Sequence, residues 1–444
     1  MELEMEEKSN CCARILKVYE DEYAKRAKLQ EKLGVFGIDD LSEAEARKFK
    51  LERICERLNS HGSGKHGNSI SCKKCGGKQV YKGDLERKLK FDCGEIELKR
   101  AYYVCPKCKS SSFPLDEELN LSPEMEQGQL REKISILSTL ISYHQVPEVS
   151  RILLGSEIHS TSARRSLLKE AELVELECPY KELTPDKEST LYVEIDGFMC
   201  PTREARKDAK DQGYREAKAC QAFLNKDCAR ESKDRVRILD QLLEVEICGA
   251  SKFHSIFKDI FKRANPEKAK EVVFIADGAK WIWNLCESVS PQAIQIIDYA
   301  HAKQHLHNCA KIIYGEHHKE FNFFIKEKVS LLLEDKIEQV IEWLKMYEEE
   351  SEEIKREIGY FQRNKKRMLY QTFKNAGLTI GSGAIESAGK RLAQGRIKGA
   401  GMRWNVKDLN PVLMLRAALF DGRLKNHWEK QRANEAEYFQ RLAA

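Results

Sequence analysis

The chain has 444 residues, more than one ordinary core accommodates at roughly 100–200 residues per domain, so several folded units are expected. Hydrophobic residues make up 41% and charged residues 33%, yet the net charge is only +5, which excludes a uniformly basic coat and makes any basic binding face local. Fifteen cysteines, an acidic start that lacks the order of a signal peptide, and no apolar run near the roughly 18–20 residues of a membrane span predict a soluble, cytosolic chain with reduced thiols.

Residues 1–60 read as a helical arm, with Ile15, Val18, Tyr19, Tyr23, Leu29 and Leu33 at helical spacing. The stretch from His61 to Asn68, with Gly62, Gly64 and Gly67, reads as a flexible linker. Residues 68–118 carry Cys72-Lys-Lys-Cys75 and Cys105-Pro-Lys-Cys108. Between them Leu89, Phe91, Ile96, Leu98, Tyr102 and Val104 alternate around Asp92-Cys-Gly-Glu95 as strand, turn, strand. Two Cys-x-x-Cys pairs joined by a hairpin predict a zinc ribbon with one structural Zn²⁺ on Cys72, Cys75, Cys105 and Cys108, because four thiolates leave no open position. Cys93 falls in the turn and is not a ligand.

Residues 127–180 divide into three helical pieces: Leu130 to Tyr143, a second from Pro147, and a third after Ser160-Thr-Ser162, which can cap it. This pattern suggests a helix-turn-helix-like DNA-binding unit whose Arg164, Arg165 and Lys169 enter a major groove, or else a plain helical spacer. Residues 187–315 alternate strands and helices. Strands are expected at Leu191 to Asp196, Ala217–Phe223, Leu242–Cys248, Val272 to Asp277 and Ala293 to Asp298, with a helix over about Ser251 to Phe261. Residues 316–376 read as an all-helical insertion with Leu331, Leu332, Ile337, Val340, Ile341, Trp343 and Leu344 as its apolar stripe. The α/β pattern resumes over 377–425 and ends in a helix over 426–444.

Asp196 and Asp277, each at an expected strand end, can face one crevice, and Glu386 sits behind Gly381-Ser-Gly383 at a helix start. Three such carboxylates repel unless cations neutralise them, which predicts two Mg²⁺ or Mn²⁺ ions acting on a phosphodiester. Asp298 also ends a strand by pattern, and His301 holds a carboxylate or phosphate or is a structural histidine. Glu386 and Lys390 share a helix face. Lys390, Arg391, Arg396, Lys398 and Arg403 read as a track along the DNA backbone or as a solvated basic face, and Trp404 better as core than as a base-stacking residue. Lys365-Lys-Arg367 is either a phosphate grip or ordinary surface.

Tyr192-Val-Glu-Ile-Asp-Gly197, Phe274-Ile-Ala-Asp-Gly-Ala-Lys-Trp-Ile282, Asp298-Tyr-Ala-His301 and Gly381-Ser-Gly-Ala-Ile-Glu-Ser387 together resemble bacterial insertion-sequence transposases of the Mutator-like group. The stretch from Gly389 to Trp404 is similar to the Kra-type insertion-sequence branch. The resemblance covers about Leu191 to Leu424. It implies an RNase H-like core split by the helical insertion, a DDE triad of Asp196, Asp277 and Glu386, and an accessory role for Asp298 and His301 in an Asp-x-x-His signature. It further implies strand cleavage and transfer on double-stranded DNA, at terminal inverted repeats and target, by a homodimer or larger assembly at the bacterial nucleoid. A structure-specific nuclease on the same core and a catalytically inert, transposase-derived DNA-binding regulator are the competing readings.

Overall fold

Apolar alternation between the two cysteine pairs builds a hairpin of β2 (Lys78–Phe91) and β3 (Gly94–Val104), flanked by β1 (Ser69–Ser71) and β4 (Ser111–Ser112) in one antiparallel sheet. The structure is a computed structural model that describes residues 34–177, 181–203, 213–232, 235–315 and 321–443. The expected arm before residue 34 lies outside them. The chain divides into two compact units, residues 1–170 with 428–444, and residues 171–427. Its architecture is mixed α/β, and among the described residues no helix is long and apolar enough to cross a membrane.

In the first unit, helix α1 (Val35–Asn59) lays Leu51 and Cys55 against Leu89, Cys93, Ile96 and Leu98 of the hairpin, with Leu115 of α2 (Pro114–Glu118) completing the cluster. Full burial of each large aliphatic side chain stabilises by roughly 1.5–3 kcal/mol, so the hairpin's tip is a core element. Cys93 sits in the turn, as expected, and is buried there. The expected flexible linker is instead fixed: Ser63 accepts the Ala101 N–H at 2.7 Å, while the Tyr103 hydroxyl donates to Gly67 and accepts from His66 N–H, each at 2.9 Å. Its glycines follow the turns of a docked loop.

Helices α3 (Gly128–Leu140), α4 (Val146–Leu154) and α5 (Ser160–Glu177) follow, with Leu130, Ile134, Val146, Ile158 and Ala163 as their small core. The α5 helix begins at Ser160, so Ser160 to Ser162 form its first turn and do not precede it. The last helix, α15 (Arg423–Ala443), carries Trp428, whose ring lies 5.6 Å from the Arg131 guanidinium of α3.

The second unit is built on five strands: β5 (Thr190–Pro201), β6 (Tyr214–Leu224), β9 (Leu242–Glu246), β10 (Glu271–Ala276) and β11 (Ile294–Ile297), in the order β11-β10-β5-β6-β9. Strands β5, β6 and β9 pair antiparallel, whereas β10 and β11 run parallel to β5. A separate hairpin of β7 (Cys228–Ser232) and β8 (Arg235–Ile238) was not legible in the apolar pattern. Helix α6 (Ala250–Arg263) places Phe257 and Phe261 against Phe274 of β10, and α7 (Lys280–Val289) buries Ile282, Trp283 and Cys286.

After β11 come α8 (Tyr299–Tyr314), α9 (Phe321–Leu333), α10 (Ile337–Lys345), α11 (Glu352–Asn364) and α12 (Tyr370–Asn375). The expected stripe of the helical insertion is buried, Leu331 partly, and it joins the same hydrophobic cluster as the sheet. The insertion therefore shares the core. Helices α13 (Gly383–Ala393) and α14 (Val406–Phe420) close the unit.

Candidate functional site

The four cysteines named from spacing converge. Their sulfurs all lie within 4.8 Å of one another. Cys72 Sγ is 3.6 Å from Cys108 Sγ, and Cys75 Sγ is 3.6 Å from Cys105 Sγ, close to the ~3.8 Å edge of a tetrahedron with Zn–S bonds of about 2.3 Å. The two knuckles share one backbone pattern. Cys72 N–H donates to Gly77 O and Gly76 N–H to Cys72 O; Cys105 N–H donates to Ser110 O and Lys109 N–H to Cys105 O. Gly76 and Lys109 occupy the same left-handed position, with φ of 69° and 59°. The Ser110 hydroxyl, 3.2 Å from Cys72 Sγ and 3.0 Å from Cys108 Sγ, lowers both thiols, Cys72 to about 6. This cluster could hold a structural metal ion such as zinc.

The acidic residues meet on the sheet of the second unit. Asp196 lies within β5 and not at its end, because the strand runs on to Pro201, with Asp196 opposite Ala219 and Gly197 opposite Lys218 on β6. Asp277 directly follows β10, which is hydrogen-bonded to β5, and its carboxylate accepts the Ala279 N–H at 2.9 Å. Glu386 stands in the first turn of α13. Burial raises the Asp196 carboxyl above the usual range, the Gly197 N–H opposes this, and the Asp277 and Glu386 charges push it further up while His301 pulls it down. The three acids and His301 therefore share one electrostatic neighbourhood. Their oxygens are spaced more widely than the cysteine sulfurs, since among the described residues the cysteines alone form a group of three or more ligand atoms within 4.8 Å.

Alternation along β5 explains how Glu386 comes there. Residues 192, 194, 196 and 198 point to one face. The Tyr192 hydroxyl accepts the Thr379 N–H at 3.1 Å, and Glu194 Oε2 accepts the Ile385 N–H at 2.6 Å. Further along the strand, Phe198 packs against Gly389. Asp298 adds a third anchor: it caps α8 through the Ala300 N–H at 3.2 Å and also accepts the Ser382 N–H at 3.1 Å. Asp298 is buried and accepts both bonds on Oδ1, and His301 Nε2 lies 3.9 Å from its Oδ2.

Glu194 was not singled out by sequence, although an acid inside an apolar strand run, two residues before Asp196, is the signal that marks it. It is 1% exposed, and burial, with the Asp298 and Asp196 charges, pushes its carboxyl up to about 8 against the pull of the Ile385 N–H.

The basic residues separate into two kinds. Lys390 pairs with Glu386 at 2.6 Å with both side chains about half exposed, and Arg391 is exposed beside the Phe420 ring. Lys398 and Arg403 are exposed too. Arg396 departs from the expected track: it is 1% exposed, with its guanidinium 4.8 Å from the centre of the Trp404 ring. Trp404 is a core residue whose indole N–H donates to Ile397 O at 3.1 Å. Arg367 is likewise engaged, 4.5 Å from the Trp283 ring centre and paired with Glu287, while Lys365 pairs with Glu338. In the first unit Arg164 and Arg165 are exposed on α5, where Arg165 and Lys169 both approach Glu124, at 2.7 and 3.8 Å.

No curated protein matches the sequence. A family profile matches residues 73–433, a span that takes in the second cysteine pair, all three acids, the whole second unit and part of the first. The chain belongs to the uncharacterised protein family UPF0236.

Proposed function

We propose that this chain is a DNA transposase that cuts and joins phosphodiesters through two divalent ions held by Asp196, Asp277 and Glu386. The observation that carries the reading is the placement of these acids: one on the central strand, one after the parallel strand beside it, and one on the helix that Tyr192, Glu194 and Asp298 fasten to the same face. Three antiparallel strands extended by two parallel ones, in the order found here, support an RNase H-like core. A two-ion centre spreads its carboxylates around metals about 3.5–4 Å apart, which accommodates acids that do not all meet at one point.

In this reading Mg²⁺ or Mn²⁺ supplies Lewis acidity for an in-line displacement at phosphorus. The chain's own residues place the donors: Asp196 is fixed by the sheet, Asp277 by the turn to α7, and Glu386 by the anchored start of α13, with Lys390 released from Glu386 toward a phosphate. Lys390, Arg391, Lys398 and Arg403 line the approach of double-stranded DNA. The hairpin with its four cysteines at the open end acts as a zinc ribbon and α3 to α5 as a helix-turn-helix-like unit reading terminal inverted repeats, and the protein works as a homodimer or larger assembly. The test is strand transfer: a labelled, pre-cut duplex end from the DNA flanking the gene, incubated with a supercoiled plasmid, protein and Mg²⁺. Joined product is expected, whereas breakage of the duplex without joining would make the chain a nuclease.

A further inference from the structure

Tyr360, on α11 of the helical insertion, lies in the chain between the second and third acids and packs beside the second. A Cβ built on Gly278, the residue after Asp277, would fall 1.9 Å from Tyr360 Cε2, so glycine is required at 278 by the ring that occupies the space. The ring stacks on His305 with centroids 3.8 Å apart, and His305 Nδ1 lies 2.6 Å from Glu357 Oε2. Phe361 meets it edge-on at 5.3 Å. Tyr360 is only 8% exposed, and its buried hydroxyl has no hydrogen-bond partner among the described residues. Native proteins seldom leave such a group unsatisfied, and where they do, something that binds there is a common reason.

An ordinary phenol is protonated through the neutral range, so the hydroxyl stands there as a hydrogen-bond donor. Asp277, Glu357 and Asp298 keep free acceptor sites, yet none of them makes a hydrogen bond with the hydroxyl, which leaves its place open to an oxygen that arrives with what binds. We propose that Tyr360 belongs to the acidic site, where its hydroxyl donates to a non-bridging oxygen of the DNA phosphate being cut. This rests on the reading of Asp277 as a carboxylate of a DNA-cleaving centre, and it makes the helical insertion part of that centre.

The test uses full-length Tyr360→Phe, which keeps the ring on Gly278 and His305 and removes only the oxygen. Single-turnover cleavage of a duplex carrying the DNA that flanks the gene, in Mg²⁺, should fall about 100- to 1,000-fold, as for loss of one donor to a reacting group. Affinity for the same duplex should change less than about twofold, and the melting temperature should not fall, because the hydroxyl has no partner to lose. Wild-type cleavage by Tyr360→Phe overturns the assignment alone, as does a rate loss accompanied by a lowered melting temperature, which marks a structural hydroxyl. A wild-type protein inert on that duplex overturns the DNA-cleaving reading and this assignment with it.

Discussion

The Ile385 backbone N–H donates to Glu194 Oε2 at 2.6 Å, so a buried acid on the central strand secures the first turn of the helix that carries Glu386. Glu194→Gln keeps an amide oxygen for that bond. Glu194→Ala leaves the N–H buried without an acceptor, at about 1–3 kcal/mol, and adds a cavity. Chemical denaturation should therefore find the alanine variant the less stable of the two by at least this amount, and equal stabilities would show that the bond does not hold α13.

The same residue makes stability depend on pH. Its carboxyl is raised from an ordinary 4.5 to about 8, so over that window the folded chain keeps a proton that the unfolded chain has released. The contribution is complete below the lower value and is lost as pH rises to the upper one, a change on the order of several kcal/mol in metal-free protein. Denaturation at about pH 5 and about pH 8 should show wild type losing stability relative to Glu194→Gln across this range. A constant difference would contradict it.

Much of this arrangement is legible in the chain. The apolar runs before Asp277 and Asp298 give strands β10 and β11 nearly to the residue, because both are buried on two faces and carry no competing signal. Asp196 reads as a strand end, yet pairing with β6 carries the strand on to Pro201. Arg396 falls among basic residues in sequence, yet it is buried with its guanidinium over the nearby Trp404 ring. The fixed loop before β1 depends on the Tyr103 hydroxyl, and the place of Tyr360 beside Gly278 depends on a helix far along the chain. Local pattern carries no trace of such long-range contacts.

Metal analysis of the purified protein should find one zinc per chain. Serine at Cys72, Cys75, Cys105 or Cys108 should lose it and destabilise the first unit, since structural zinc supplies about 10–16 kcal/mol of apparent binding free energy in small zinc domains. Cys93→Ser should keep the metal, because Cys93 packs with Leu89 and Ile96 away from the sulfur cluster. Zinc retained by Cys105→Ser at full stoichiometry would remove the four-thiolate site.

Among the basic residues, Lys398→Ala and Arg403→Ala should weaken DNA binding and each reduce the slope of log affinity against log salt by about 0.9 per lost phosphate contact, with little change in stability. Arg396→Ala should instead cost about 1–3 kcal/mol of folding free energy through the lost packing on Trp404. Titrations at several salt concentrations, alongside melting curves, separate the two effects. A salt slope altered by Arg396→Ala with unchanged stability would place that guanidinium outside.

The most direct measurement is DNA cleavage by wild type, Asp196→Asn, Asp277→Asn and Glu386→Gln, each with Mg²⁺ and with chelator, on a duplex bearing the DNA that flanks the gene. Metal-dependent cutting by wild type alone, with all four proteins binding the duplex comparably, is expected if Asp196, Asp277 and Glu386 hold the ions. Cutting by Glu386→Gln at the wild-type rate would contradict it.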